Sequence, residues 1–430
     1  MAMPETATDA LEARLQAAPS GGGAWIRAAR AAAEGRLRAM GLPGRRDEYW
    51  KYTDPTSLIS PEVAPAEALT ADEAPVFDGI ERLRVVFVDG RLDAAASDPL
   101  ALEYLEIEPL SQVAEVDIHW AAEVFGQLEA RGQDPVARPL AALNTALATE
   151  GLVIRAKGVV PRPVSLVYVH ERPSSDAMIH HVVRVEPGAE LTLLENGPAA
   201  ARFNKVLEVD VADGGRFHHV RAQGRDHDRQ AVTHLFARLG AEALFKSFTL
   251  TVNGALTRNE AVVELLGDDA VAHVAGAAAG DGAEHPFHQD DTVFVTHAAE
   301  RCESRQVFKK VLRNGAVGVF QGKILVRPGA QKTDGYQISQ ALLLDGDAEF
   351  YAKPELEIYA DDVKCSHGST SGGLDPDALF YLRSRGVPEA EAQNMLVLSF
   401  LAEALAEIED PRLREDLEAR LEAWLRRRTR

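Results

Sequence analysis

The sequence predicts a mainly β protein: a solenoid core flanked by helical segments at both ends. Two observations carry that expectation. From Gly151 onward, short β-branched runs with period-two alternation are separated by turn residues, at 152–155, 165–170, 181–185, 191–194, 206–211 and 217–221. The turns themselves recur. Pro187-Gly188-Ala189-Glu190, Asp213-Gly214-Gly215-Arg216, Leu239-Gly240-Ala241-Glu242 and Gly267-Asp268-Asp269-Ala270 each precede a strand, with glycines 26, 26 and 27 residues apart. A near-constant period with short strands in each unit marks a solenoid, because one unit cannot bury its apolar face alone and stacking supplies the core. Pro328-Gly329-Ala330-Gln331 and Asp345-Gly346-Asp347-Ala348 repeat the chemistry but break the period. A β-sandwich with evenly spaced hairpins is the competing account.

The elements before the repeat are helical or mixed. Leu11 and Leu15 set a helical stripe over 6–17, and Ser20 to Gly23 break it. A second helix over 24–40 carries Ile26, Ala29, Ala33 and Leu37 on one face and stops at Gly41 and Pro43. One strand stands out at 83–88, ending in Asp89-Gly90, and a further helix is expected over 136–149. Beyond Ser371 the pattern is helical again. Asp375-Pro376 caps a short helix ended by Gly386, Pro388 opens a longer one, and Leu413, Leu417, Leu421 and Trp424 stripe the last. The chain therefore divides into an N-terminal helical and mixed part (1–150), a repeat core (151–371) and a C-terminal helical part (372–430).

Composition excludes several classes of function. A net charge of −20 argues against nucleic acid as the main partner. No stretch of about 18 apolar residues occurs, so no membrane span is expected. Residues 1–10 lack the basic-then-apolar order of a secretory signal, and arginines at 426–430 read as a solvated tail. With only Cys302 and Cys365, a disulfide framework is not expected and a reducing cytoplasm is the natural compartment.

Common catalytic signatures are missing. There is no phosphate-binding loop of the Gly-Lys-Ser/Thr type, no Cys-x-x-Cys pair and no Gly-x-Ser-x-Gly elbow. The densest constellation runs from Glu355 to Gly368 and contains Cys365 and His367. Two residues apart on a strand, their side chains share one face roughly 7 Å apart at the α-carbons. A thiolate beside an imidazole suits iron or an iron–sulfur fragment, and Lys364 would lower the thiol pKa. Two ligands do not complete a coordination sphere, so a site here is shared or transient. The bland reading is a small buried cysteine and a hydrogen-bonded histidine. His180-His181 and His218-His219 sit in strands, where neighbours face opposite ways. His285, His288 and His297 lie with Asp290 and Asp291 in a polar stretch whose spacing fits no metal motif, and Cys302 lies between cations.

Several runs resemble one known family. These are Ser304-Arg305-Gln306-Val307-Phe308-Lys309, Gly318-Val319-Phe320-Gln321-Gly322-Lys323, the stretch from Val326 to Asp334, the stretch from Lys353 to Gly368, and Phe380-Tyr381-Leu382-Arg383-Ser384-Arg385-Gly386. With Arg46-Asp47-Glu48-Tyr49-Trp50-Lys51-Tyr52-Thr53 near the start, they are similar to the SufB/SufD family of iron–sulfur cluster assembly proteins, on its D-type side by Val363-Lys364-Cys365-Ser366-His367-Gly368. The resemblance implies a right-handed parallel β-helix flanked by helices. It implies a scaffold subunit and not a stand-alone enzyme, paired through its β-helix with a B-type paralogue and carrying an ABC-type ATPase on its C-terminal helices. It places Cys365 and His367 at a shared interface, as ligands of transient iron or a nascent cluster, with nothing stably bound to the isolated chain. A homodimer is the expectation for the chain without its partner. A purely structural subunit, with all chemistry on the B-type chain, is the alternative.

Overall fold

The structure, a computed structural model, describes residues 5–68, 75–197, 200–224 and 226–428. The ends of the two terminal readings, residues 1–4 and 429–430, lie outside them. The repeat is a β-solenoid with two faces. One sheet has ten strands, from Lys364–Gly372 at one end through Asp334–Leu343, Glu303–Arg313 and Val271–Asp281 to Val164–Val169, Leu83–Val88 and Arg91–Asp93 at the other. The facing sheet has nine, from Glu349–Ile358 to Leu105–Pro109. Successive strands alternate between sheets, and each pairs in parallel with the strand one coil away. Leu83–Val88, far upstream of the repeat, completes the ten-stranded sheet by pairing in parallel with Val164–Val169.

Coil length explains where the glycine spacing holds and where it fails. Gln230 lies opposite Arg202 on one side and Leu256 on the other, offsets of 28 and 26, whereas Val271, Glu303, Asp334 and Lys364 align at offsets of 32, 31 and 30. One corner of every coil needs a residue with left-handed φ, and its occupants are Gly188, Gly214, Glu242, Asp269, Arg301 and Lys332, with φ between 56° and 69°. Each donates its backbone N–H to a carbonyl of the next coil, from Gly188 to Asp213 through Lys332 to Asp362. The corner thus coincides with the glycine series only twice. Gly240 and Gly267 stand two residues before it, and the Asp345-Gly346 turn lies at the opposite corner, where the chain passes from Asp334–Leu343 to Glu349–Ile358.

From Asp176 onward the strands run eight to eleven residues, longer than the four to six expected. In the middle coils both faces of the strands are buried, which blurs alternation. Helix Pro139–Leu147 packs on the nine-stranded sheet with every residue buried, and helix Ala24–Met40 packs over it. Helix Glu389–Leu405 packs on the ten-stranded sheet, burying Val397, Leu401 and Leu405 with Leu413, Leu417, Leu421 and Trp424 of helix Pro411–Arg428. Between the sheets, Leu207, Val209, Phe217, Phe245, Val263, Phe308 and Phe320 form the inner core.

Polar groups interrupt that core. The Lys205 ammonium pairs with Glu195 across the interior, and Glu195 also receives the Tyr168 hydroxyl at 2.9 Å and lies 2.8 Å from His219 Nε2. Further along, Lys310 pairs with Asp291 at 2.6 Å. Burial is the largest influence on four interior histidines, and it holds His181 down to about 3 and His219, His234 and His297 down to about 4. They are neutral in the fold, whereas in the unfolded chain they take up protons near the ordinary value of about 6.5. Their stabilising effect is therefore complete above that pH and is lost as pH falls toward 4. The melting temperature should decline between about pH 6.5 and pH 5, before the carboxylates titrate. A profile flat over that interval, measured by circular dichroism, contradicts the assignment.

Candidate functional site

The last coil is where the solenoid stops without a lid. Lys364–Gly372 pairs only with Asp334–Leu343, and Glu349–Ile358 only with Val317–Val326, so each presents an unpaired backbone edge. Exposure rises abruptly there. Strand Val317–Val326 is buried at eight of ten positions, whereas Lys364–Gly372 has no buried residue.

Cys365 and His367 sit on this final strand with their side chains on one face, as their spacing predicts. Cys365 points inward and packs with Ile324, Val326, Ala330, Leu356 and Val363. Its place opposite Gly335 matters, because a β-carbon at Gly335 would lie 3.3 Å from Cys365 Sγ. His367 is exposed and lies opposite Gln337 in register. The Gln337 amide donates to Gln306 Oε1 at 2.8 Å, while its own Oε1 is buried without a partner. Gln306, Gln337 and His367 thus form a polar file leading out of the open end.

The thiol chemistry differs from expectation. Lys364 alternates to the opposite face of the strand, and burial pushes the Cys365 thiol up, with a smaller contribution from Asp334. Cys365 is a thiol at neutral pH, so binding a metal there releases a proton. Among the described residues no group of three or more His, Cys, Asp or Glu is disposed to hold a metal ion. The other candidates do not converge. His288 lies 3.0 Å from the Thr53 hydroxyl, His297 bonds Ser304 at 2.8 Å inside the solenoid, and His285 contacts Asp228 at 3.1 Å on a loop. Cys302 is buried, donates to the Gly267 carbonyl at 3.3 Å, and its thiol is likewise pushed up by burial.

Comparison with known proteins gives this geometry its context. Residues 168–400 match the domain described as SUF system FeS cluster assembly, SufBD core domain. Over 417 residues, 90% of each chain, the sequence is 31% identical to the iron–sulfur cluster assembly protein SufD of Escherichia coli strain K12. The chain belongs to the SufBD family. It is also 27% identical to a SufBD family protein of Synechocystis over 86% of this chain and 85% of that one, and 29% identical to SufD of Bacillus subtilis strain 168 over 63% of each. Its role accordingly lies in iron–sulfur cluster assembly.

The fold of this SufBD protein gives contacts to residues that the sequence marked only through family resemblance. Side chains of the Arg46–Thr53 run tie the N-terminal part to the final coils. Tyr49 donates to Glu355 at 2.5 Å, and Tyr52 stacks on Tyr351 with centroids 5.0 Å apart. Beneath it the buried Arg258 donates to the Tyr49 carbonyl at 2.8 Å, and the Thr53 hydroxyl donates to Asp290 at 2.6 Å. At the other flank, helix Pro376–Ser384 has no buried residue and shows Phe380 at 73% and Tyr381 at 55% exposure. A signal was present, since Leu379, Phe380, Tyr381 and Leu382 are consecutive and no single helix face can bury them all.

Alkylation checks the thiol assignment. In a Cys302→Ser background, the rate at Cys365 should still be rising above pH of about 8.5, where an ordinary cysteine levels off. A plateau near neutrality would mean that the thiol is activated after all.

Proposed function

We propose that this chain is a D-type scaffold subunit, without catalytic activity of its own, that helps acquire iron and assemble and transfer clusters together with a B-type paralogue. The observation that carries the reading is an incomplete donor pair, Cys365 and His367, at an uncovered solenoid end flanked by two unpaired strand edges. Such edges are templates for a second chain, because every unsatisfied N–H and C=O gains a partner when another strand is added. Docking a related solenoid here would bury the edges and bring further donors to Cys365 and His367. Iron or a nascent cluster is then the shared cargo, held while the interface is closed. A second copy of this chain would satisfy the same edges, which accounts for a homodimer when the paralogue is absent.

The C-terminal helices suit a different partner. Exposed Phe380 and Tyr381 form an aromatic patch on a helix that the chain itself leaves uncovered, and large aromatic side chains are the usual anchors of protein interfaces. We assign that patch to the ABC-type ATPase, with helix Glu389–Leu405 passing its movement to the ten-stranded sheet on which the helix packs. No helix of the described residues is long and apolar enough to cross a membrane, which agrees with a cytoplasmic assembly.

Two experiments test this. In cells that rely on this pathway alone, Cys365→Ser or His367→Ala should abolish maturation of a reporter iron–sulfur enzyme while the complex still co-purifies. Full maturation in both variants would leave the chain a structural subunit with the chemistry on its paralogue. Phe380→Ser with Tyr381→Ser should lower ATPase binding at least about tenfold, the loss expected when interface anchors are removed. These changes are cleaner than deleting 375–430, which would strip the cover from the ten-stranded sheet.

A further inference from the structure

Inside the solenoid, two guanidiniums are buried with no carboxylate in direct contact among the described residues. Among the described residues Arg221 donates only to neutral oxygens, at 2.8 Å to Thr233, 3.2 Å to Thr249 and 3.0 Å to Asn259. Arg229 likewise meets only the Asn253 carbonyl at 3.3 Å and the Thr257 hydroxyl at 3.5 Å. Neither forms an ion pair among the described residues, although they are 8% and 2% exposed. Burying an unpaired charge is among the costliest arrangements a fold can hold. Both arginines nevertheless line one small cavity of about 20 Å³, together with Tyr168, Glu195, Lys205 and Gln223.

Charge counting sharpens the point. Around this cavity Lys205, Arg221 and Arg229 supply three positive charges, and Glu195, already held by Lys205, supplies one negative charge on the lining. Asp226 reaches Arg229 only through its field and is hydrogen-bonded to His170 at 2.5 Å. The neighbouring His181 and His219 are neutral and cannot answer the excess. The Nε–H groups of Arg221 and Arg229 are both buried with no acceptor. The fields of Glu195 and Asp291 on Arg221 and of Asp226 on Arg229 offset part of this charge. The volume admits one particle of the size of a water molecule or a small ion, and two unanswered donors beside the remaining positive excess favour the ion.

We propose that this cavity is a binding site for one halide-sized monovalent anion, bridging Arg221 and Arg229. The anion neutralises the pair and ties the coil containing Arg216–Gln223 to the corner that opens Gln230–Leu239. The site is distinct from Cys365 and His367, and its test does not depend on cluster assembly.

Crystals of the full chain grown in bromide should show an anomalous peak between the two guanidiniums. In solution at constant ionic strength, the melting temperature should rise saturably when gluconate is replaced by bromide, and that rise should disappear in Arg229→Gln. Oxygen-like density without an anomalous signal would identify a bridging water and overturn the proposal. A halide-dependent rise that persists unchanged in the variant would overturn it, as would a peak with no rise at all, which would mark an adventitious ion only. The diffraction arm uses the unaltered chain, so a variant that fails to fold leaves the question decided.

Discussion

Every coil of this solenoid takes its backbone hydrogen bonds from the coils on either side. A strand such as Gln230–Leu239 has no hairpin partner of its own and pairs only with Arg202–Val211 behind it and Leu256–Leu265 ahead. The arrangement is self-consistent in the middle and must fail at the ends. At the beginning the chain solves this with Leu105–Pro109 and Arg91–Asp93, short antiparallel strands that close the two sheets. At the far end no such closure exists among the described residues, and there stand Cys365 and His367. The unmet pairing and the donor pair proposed above as a shared site occur at the same place.

The interior polar groups follow from the same dependence. Breaking a buried ion pair by removing one partner costs roughly 3–5 kcal/mol, whereas exchanging both for apolar residues is often neutral or stabilising. The Lys205–Glu195 pair therefore adds little net stability over a hydrophobic filling. Its effect is on register: Lys205 and Glu195 come from opposite sheets, and a slip of one residue would turn either charge outward. A stack of near-identical coils has many almost equivalent registers, and inward charges that accept one partner only make the alternatives costly. Asp291, three coils after Lys205 in the same sheet, does the same through its pairing with Lys310.

How much of this was legible in the sequence depended on whether a residue's requirement was local. The left-handed corner is a local requirement, and the glycine series found it at Gly188 and Gly214. It missed Glu242, Asp269, Arg301 and Lys332, because the roughly 1–2 kcal/mol that a side chain costs in that conformation is offset by a hydrogen bond to the next coil. That bond is between residues about 30 apart and leaves no trace in composition. The shared face of Cys365 and His367 is local too, and it was readable from their spacing. The openness around them was not, since it arises from a neighbouring strand that is absent. The high thiol pKa was hidden for a similar reason: adjacency to Lys364 suggests activation, but strand alternation turns the lysine away and packing against Ile324 and Leu356 decides the outcome.

The N-terminal segment completes the argument about the open end. Two unpaired edge strands with little burial should fray, and a frayed strand cannot hold a thiol and an imidazole at fixed separation. Tyr49 and Tyr52, from a segment some three hundred residues earlier, grip Glu355 and Tyr351 on the outer face of Glu349–Ile358 and leave its edge free. Glu48 adds an ion pair to Lys353 on the same strand. The strap thereby separates two properties that usually conflict, rigidity of the last coil and availability of its edges. A lid over the end would have supplied the first and abolished the second. Holding the strand from its outer face supplies both, and it explains why an N-terminal run and a C-terminal strand carry family resemblance together although they are far apart in sequence.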